Sequence, residues 1–250
     1  MKISRIFKWL KARPGLWLSY LALVLTSLLG FCFFRFPLNF TRVFGRENIP
    51  KKGRRVLFVC NHISMFDSFL IGVSASFPSI FTRPGRPPLN FADKKNYFTT
   101  WYIKLFLKLL RTVPVESRKD PKLLRRYKDL IENNNLLIFY QGTRSYDLNL
   151  IKNGPGYLIA SAAEKITVIP VFHQGIERIF SRGGPKTHGT WRWLPRNFFR
   201  KPLVIFGPAI NFSQEMQNPE MKKRILAINK KIISSIMALQ ALATNRQAVH

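Results

Sequence analysis

Short apolar runs between polar turns predict the strands of this protein. They cover residues 56–60 (VLFVC), 136–140 (LLIFY) and 203–206 (LVIF). A continuous apolar run of this length is typical of a strand buried on both faces, because other elements cover such a strand from above and below. These runs therefore predict a sheet in the interior of the protein.

Apolar residues at helical spacing lie between and after these runs. One helix is predicted to begin at Asp67, and another has Asp120 as its N-cap, Pro121 as its first residue and Ile131 near its end. A last helix follows Pro219, and its apolar stripe is more typical of core packing than of a membrane span. The stripe consists of Met221, Ile225, Ile228, Ile232, Ile236 and Leu239. The pattern predicts an α/β fold, a mixed sheet flanked by helices.

An uncharged segment near the N-terminus is long enough to reach across a bilayer. Residues 16–34 contain no charged side chain, and Arg13 and Arg35 flank them. At about 1.5 Å per residue, a helix of this length spans roughly 28 Å. A signal peptide and a buried core helix are the alternatives, and we favour a membrane anchor. The predicted organisation is a basic, membrane-anchoring region over 1–36 and a folded domain over 37–250.

The chain is strongly basic, with 41 Lys and Arg, 12 Asp and Glu, and a net charge of +29. Such an excess predicts anionic partners: nucleic acid, anionic lipid headgroups or phosphorylated substrates. Residues 178–214 contain no acid and include the run WRWLPRNFFRK. This run suits a membrane interface, single-stranded nucleic acid, or a folded loop whose aromatics belong to the core. Because a membrane anchor is predicted, we favour the membrane interface over nucleic acid.

His62 and Asp67 follow the first predicted strand and lie five residues apart. On one continuous helix, this spacing would turn the two side chains about 140° apart. They can meet only if His62 lies on the turn and Asp67 in the first helical turn, where the carboxylate would make His62 a general base of fixed tautomer. The alternative is a loop histidine followed by an acid that stabilises a helix N-terminus.

The other histidines have no carboxylate at a useful spacing, and we assign them no catalytic role: His173, His188 and His250.

A second polar cluster, Gln141-Gly142-Thr143-Arg144-Ser145, follows the second predicted strand. Glycine lets a ligand approach the backbone, hydroxyls donate hydrogen bonds, and a guanidinium binds phosphate through two parallel hydrogen bonds. In open α/β sheets, ligands bind outside the carboxyl ends of the strands, where both clusters are predicted to lie. A simple polar turn is the alternative interpretation.

The two cysteines, Cys32 and Cys60, lie in apolar runs and are too few for a disulfide framework. Cys60 lies close to His62 in sequence, but we favour a small apolar role over that of a thiol nucleophile. The sequence contains no Cys/His spacing typical of a zinc site, so we expect no metal.

These motifs resemble those of the lysophosphatidic acid acyltransferase-like glycerolipid acyltransferases, the 1-acylglycerol-3-phosphate O-acyltransferase type. The family is marked by N-H-x4-D, a block ending in an acid and an arginine, F-P-E-G-T-R-S, and V-x-P-V. This chain has four similar blocks in the same order, at Asn61 to Asp67, 112–118, 139–145 and 168–171. The resemblance covers about residues 40 to 210, and four ordered motifs are more specific than one.

The resemblance implies an acyltransferase domain over 37–250 that moves a fatty acyl group from acyl-CoA or acyl-acyl carrier protein to a hydroxyl of a lysophospholipid. It implies that His62 is the general base and that Asp67 orients it. It also implies substrate-binding roles for Gln141, Gly142, Thr143, Arg144, Ser145 and Arg118. We expect no resident cofactor, membrane lipids as partners, and a membrane location at the cytoplasmic face of the inner (plasma) membrane.

Two positions differ from the family pattern. Gln141 stands where the family usually has glutamate, and Arg118 lies one residue later than the family arginine. These differences leave open another acceptor, such as an aminolipid or glycolipid. They also leave open a basic membrane- or nucleic-acid-binding protein without catalysis. The order of the motifs and the intact pair of His62 and Asp67 favour an enzyme.

Overall fold

The structure, a computed structural model, describes residues 14–51, 55–83, 86–98, 100–116, 121–162, 166–180 and 194–248. The strands are β1 (Arg42–Phe44), β2 (Val56–Cys60), β3 (Phe91–Asp93), β4 (Val113–Val115), β5 (Leu136–Phe139), β6 (Thr167–Gln174) and β7 (Leu203–Phe206). The α-helices are α1 (Pro14–Phe34), α2 (Asp67–Ser76), α3 (Lys94–Tyr97), α4 (Trp101–Leu109), α5 (Pro121–Ile131), α6 (Asn153–Ala162), α7 (Ser213–Met216) and α8 (Met221–Ala248).

Five strands form one mixed sheet in the order β1-β7-β6-β2-β5. Strand β2 pairs in parallel with β5 and β6, β1 pairs in parallel with β7, and β6 and β7 are antiparallel. Cys60 lies opposite Phe139 on one side and Val171 on the other. Strands β2, β5 and β6 therefore end at one edge of the sheet, at Cys60, Phe139 and Gln174. We call this edge the carboxyl edge.

Strands β3 and β4 form a separate parallel pair. A parallel bridge between Leu89 and Leu136 shows that β3 runs in the same direction as β5. The ends of β3 and β4, at Asp93 and Val115, therefore point toward the carboxyl edge. Helices α3 and α4 lie in the connection from β3 to β4.

The predicted mixed α/β sheet with flanking helices is confirmed. Strands β2 and β7 have the predicted bounds, and β5 ends at Phe139, one residue before the predicted end. Helix α2 begins at Asp67, and α5 covers Pro121–Ile131. Asp120, the predicted N-cap of α5, lies outside the described residues.

Two apolar clusters lie on opposite faces of the sheet because side chains alternate along β2. Leu57 and Val59 belong to the cluster that α6 and α8 cover, whereas Val56, Phe58 and Cys60 belong to the cluster that α2 covers. All five side chains are buried, which explains why β2 has no polar position.

Helix α8 packs its apolar stripe against the sheet, as predicted. Four residues of the stripe are buried: Ile228, Ile232, Ile236 and Leu239. Met221, the first residue of the helix, is exposed. Helix α8 also lies so close to α6 that a Cβ atom on Gly156 would be 2.9 Å from the carbonyl oxygen of Ile225, so this contact requires glycine.

Helix α1 contacts α2 and α4. At Gly30 a Cβ atom would be 2.8 Å from a methyl group of Val73, so the contact with α2 depends on a small residue. Phe34, its last residue, is buried in the core, while several leucines are exposed: Leu18, Leu21, Leu25, Leu28 and Leu29.

By length and composition, Trp17–Phe34 in α1 and Met221–Arg246 in α8 could each cross a bilayer. Since α8 packs on the sheet, α1 is the better candidate for membrane contact. The anchor over 1–36 stays a prediction, and residues 1–13 and 181–193 of the two basic regions lie outside the described residues.

Candidate active site

His62 and Asp67 meet at the start of α2. The Nδ1 atom of His62 lies 2.8 Å from Oδ2 of Asp67. Asp67 is the first residue of α2, and His62 lies on the turn that follows β2. The carboxylate can only accept, so Nδ1–H donates to it and Nε2 carries the free lone pair. The His62 side chain is 20% exposed, whereas that of Asp67 is fully buried.

Backbone amides of the turn hold the Asp67 carboxylate. The N–H of Ile63 donates to Oδ2 at 2.7 Å, and the N–H of Ser64 donates to Oδ2 at 2.8 Å and to Oδ1 at 3.0 Å. A buried carboxylate needs such donors to offset the loss of water. The turn therefore folds around Asp67 and presents the His62 imidazole to it.

The ring of Phe139 stacks on the His62 imidazole, with 4.0 Å between the ring centroids and an angle of 13° between the planes. Phe139 is the last residue of β5 and lies opposite Cys60 in the sheet. The imidazole is thus held by Asp67 at Nδ1 and by Phe139 on one face. No role of the Phe139 side chain is predicted from the sequence, because its contact depends on the pairing of β2 with β5.

Gln141 joins the turn after β2 to the loop after β5 at the carboxyl edge. Its Oε1 accepts from the backbone N–H of His62 at 2.6 Å, and its Nε2 donates to the carbonyls of Ser145 and Asp147 at 2.9 and 2.7 Å. The N–H of Ser145 in turn donates to the carbonyl of His62 at 2.7 Å. Gln141 is fully buried. The loop after β5 therefore holds both backbone polar groups of His62.

The rest of this loop presents a glycine, a hydroxyl and a guanidinium. Gly142 has a φ of 66°, and a Cβ atom there would be 2.9 Å from Lys152 Cγ, so only glycine fits without strain. Thr143 is exposed and Arg144 is half-buried. Within the described part of the chain, no hydrogen bond or ion pair engages the Arg144 guanidinium. This cation is therefore available to an anionic ligand.

A second histidine lies beside Asp67. The Nε2 atom of His173, in β6, is 2.9 Å from the carbonyl oxygen of Asn61 and 3.6 Å from Oδ2 of Asp67. The Asn61 side chain also pairs with the backbone N–H and C=O of His173. His173 has no predicted catalytic role, and its only signal in the sequence is its position just after the block at 168–171. Its contact with Asp67 arises because β2 and β6 are neighbours.

Burial changes the chemistry of three side chains near the carboxyl edge. Burial, with the nearby Asp67, raises the pKa of the Cys60 thiol well above its usual value. Burial, with the charge of Asp147, also raises the pKa of Tyr140, whose hydroxyl donates to the carbonyl of Leu148. The pKa of Tyr146 is raised by burial and by the charges of Glu177 and Asp67. None of these three shifts favours a negatively charged nucleophile.

Arg118 lies outside the described residues, so its predicted role stays a prediction. Lys94 donates to Glu116 at 2.6 Å between the ends of β3 and β4. This hydrogen bond and the charge of Lys94 lower the pKa of Glu116. Among the residues that the structure describes, no group of three His, Cys, Asp or Glu side chains could hold a metal ion.

The chain is similar to two curated plant and algal enzymes. It is 27% identical over 151 residues to a 1-acyl-sn-glycerol-3-phosphate acyltransferase of Chlamydomonas reinhardtii, covering 59% of this chain and 42% of that protein. It is 26% identical over 165 residues to a chloroplastic 1-acyl-sn-glycerol-3-phosphate acyltransferase of Brassica napus, covering 63% of this chain and 44% of that protein. The chain thus spans less than half the length of these relatives.

A solved structure and a family model agree with these similarities. The fold is similar to that of the 1-acyl-sn-glycerophosphate acyltransferase PlsC from Thermotoga maritima, with a TM-score of 0.52 and 19% identity over 81% of this chain and 73% of that chain. The family model described as Acyltransferase matches residues 41–174. Because this match covers more than half of the 250 residues, the chain belongs to the acyltransferase family.

Proposed function

We propose that this protein is an O-acyltransferase that moves a fatty acyl group from a thioester donor to a hydroxyl of a lysophospholipid, 1-acylglycerol-3-phosphate. The pair of His62 and Asp67 carries this proposal. The Nδ1 atom of His62 is bound to the buried carboxylate of Asp67, and the His62 imidazole is partly exposed. A histidine held in this way can remove a proton from a hydroxyl that attacks a carbonyl.

In the proposed reaction, Nε2 of His62 accepts the proton of the acceptor hydroxyl as its oxygen attacks the thioester carbonyl carbon. Asp67 stabilises the imidazolium that forms and keeps the ring oriented. The tetrahedral intermediate then collapses, the carbon–sulfur bond breaks, and the leaving thiol takes the proton from His62. The thioester already carries an activated acyl group, so the proposal includes no metal or resident cofactor. The donor is acyl-CoA or acyl-acyl carrier protein.

The loop after β5 is proposed to bind the phosphate of the acceptor. Arg144 has no partner within the described residues, and Gly142 and Thr143 precede it on the same loop. A guanidinium and a hydroxyl suit a phosphate monoester better than an uncharged sugar. We assign Gln141 to positioning rather than to substrate contact, because it is buried and bonded to backbone groups. Ser145 links the two turns through its backbone, and Arg118 is a further candidate for the phosphate.

The location that we propose is a membrane, at the cytoplasmic face of the inner membrane. Exposed leucines of α1 and a net charge of +29 support contact with a surface of anionic lipids. A lysophospholipid acceptor also resides in such a surface. This location stays a proposal for the chain as a whole.

The test is to incubate the purified full chain with acyl-CoA or acyl-acyl carrier protein and a mixture of acceptors, and to identify products by mass spectrometry. The mixture contains 1-acylglycerol-3-phosphate, an aminolipid and a glycolipid. We expect phosphatidic acid and stoichiometric release of the donor thiol, with the His62→Ala protein as control. Acylation of only the aminolipid or glycolipid would show that the acceptor is not 1-acylglycerol-3-phosphate. A folded protein that acylates none of the acceptors would contradict the proposal that it is an enzyme.

A further inference from the structure

Helix α4 exposes an unusual number of large apolar side chains. None of the nine residues from Trp101 to Leu109 is buried. Trp101 is 76% exposed, and Tyr102, Leu105 and Phe106 are also exposed. Contiguous apolar patches on a protein surface usually mark a binding site for a partner or a membrane.

The two sides of α4 have different surroundings. At about 100° per residue, the exposed side chains occupy an arc of about 140° around the helix. In order around the arc they are Trp101, Leu105, Tyr102 and Phe106. Ile103 and Leu107 lie on the opposite side and are half-buried. The helix is therefore apolar both toward the protein and away from it.

Two lysines border the exposed arc. Lys104 and Lys108 are one turn apart, lie beside Trp101 on the helical wheel and are exposed. Neither forms an ion pair with an acidic side chain of the described residues. An apolar arc that contains Trp and Tyr and has lysines along its border is typical of a helix that lies in a membrane interface.

Exposed apolar side chains also lie on elements close to α4. Helix α4 packs against α1, whose outward leucines are exposed. On α1, the Tyr20 hydroxyl donates to the carbonyl of Phe81 at 3.0 Å, and the Phe81 ring is also exposed. Exposed apolar groups therefore also lie on α1, which contacts α4, and at Phe81, which contacts α1.

We propose that α4 is a second membrane-contacting element, separate from α1. Its exposed arc enters the boundary between headgroups and acyl chains of an anionic bilayer, and Lys104 and Lys108 pair with lipid phosphates. The net charge of +29 favours an anionic lipid surface over an apolar protein partner, and so do Lys104 and Lys108, which form no ion pair with any described acidic residue. The proposal does not depend on the acyl transfer.

The test uses the fluorescence of Trp101 in the full chain, with the other four tryptophans replaced by phenylalanine. The protein is placed in vesicles of phosphatidylcholine and phosphatidylglycerol whose acyl chains carry bromine, which quenches tryptophan on contact. We expect Trp101 to lose most of its fluorescence. The matched control is Leu226→Trp in the Trp101→Phe protein, because Leu226 is an exposed apolar residue of α8. Its fluorescence should be retained.

The lysines are tested in the same assay. Each basic residue near an anionic surface is worth about 1 kcal/mol, so Lys104→Gln with Lys108→Gln should weaken the contact of α4 with the bilayer roughly 30-fold, which is measured as a smaller quenched fraction of the Trp101 fluorescence. The control pair, Lys222→Gln with Lys230→Gln on α8, should leave it unchanged. Unquenched Trp101 in protein that remains bound to vesicles would overturn the proposal. Vesicle-bound protein in which Trp101 escapes both the bromine and aqueous iodide would also overturn it, because a second copy of the chain would then cover α4.

Discussion

The backbone N–H of His62 donates a hydrogen bond of 2.6 Å to Oε1 of Gln141. The Nε2 group of the same amide donates to the carbonyls of Ser145 and Asp147. A glutamate would have no N–H for these carbonyls, and a carboxylate oxygen would face them instead. The glutamine is therefore matched to its surroundings, and its lack of charge does not by itself indicate a lost activity.

Gln141→Glu should lower the free energy of unfolding by roughly 2 kcal/mol, because the backbone carbonyls of Ser145 and Asp147 lose their donor. Burial would raise the pKa of the introduced carboxyl above its unfolded value. The loss in free energy of unfolding should therefore become smaller as the pH falls, because the protonated carboxyl can donate a hydrogen bond. Denaturant titration at several pH values measures both effects. Gln240→Glu on the exposed side of α8 is the control, and equal stability of the two variants would contradict the role assigned to Gln141.

His62→Ala should lower the rate of acyl transfer by at least about 100-fold while leaving the fold intact, because a general base contributes about 10²–10⁴ in rate. Asp67→Asn should also lose most of the rate, since an amide can stabilise the wrong tautomer of His62. Thiol release and circular dichroism measure activity and folding. Substantial turnover by folded His62→Ala protein would exclude the proposed mechanism.

Arg144→Ala should mainly weaken binding of an acceptor that carries a phosphate. Loss of a charged hydrogen bond is worth roughly 1.5–3 kcal/mol, which corresponds to a KM higher by about 10- to 150-fold. The kcat should change less, because the guanidinium is proposed to hold the phosphate rather than the reacting carbonyl. Arg125→Ala, at an exposed position on α5, is the matched control. If KM for the lysolipid is the same in both variants, the phosphate lies elsewhere.

Deletion of residues 1–29 should release the protein from membranes only in part. This deletion removes most of α1 but keeps Phe34, which is buried in the core. The truncated protein keeps the basic and aromatic residues of 178–214. It should therefore still bind anionic vesicles at low salt, and high salt should release it from them. The full-length protein should resist salt and require detergent. A full-length protein that stays in solution without detergent would argue against the anchor over 1–36.

Cys60 should not react with iodoacetamide in the folded protein at pH 8. Burial and the nearby Asp67 raise the pKa of its thiol, so the reactive thiolate is scarce at this pH, and the side chain is fully buried. Peptide mass spectrometry should find Cys60 labelled only after denaturation. Cys60→Ala should retain acyl transfer, and complete loss of activity in a folded variant would revive the thiol as a nucleophile.

Much of the local structure could be predicted because its causes are local. The apolar run from Val56 to Cys60 has no polar position, so it predicts a buried strand with the observed bounds. The five-residue spacing of His62 and Asp67 allows contact only across a turn, and the structure contains this turn. The same reasoning placed Gln141 and Arg144 after the next parallel strand, at the same edge.

The tertiary structure alone decided which side chains surround His62. Phe139 reaches the imidazole because β5 pairs with β2, and His173 reaches Asp67 because β6 pairs with β2 on the other side. Strand order depends on the packing of helices on both faces of the sheet, which no local pattern records. The sequence by itself determined strands β2, β5 and β7, the turn, and the pair of His62 and Asp67, whereas β1, β3, β4 and β6 were not predicted. Only the assembled sheet determined how that pair is held, because its supports come from strands that are distant along the chain.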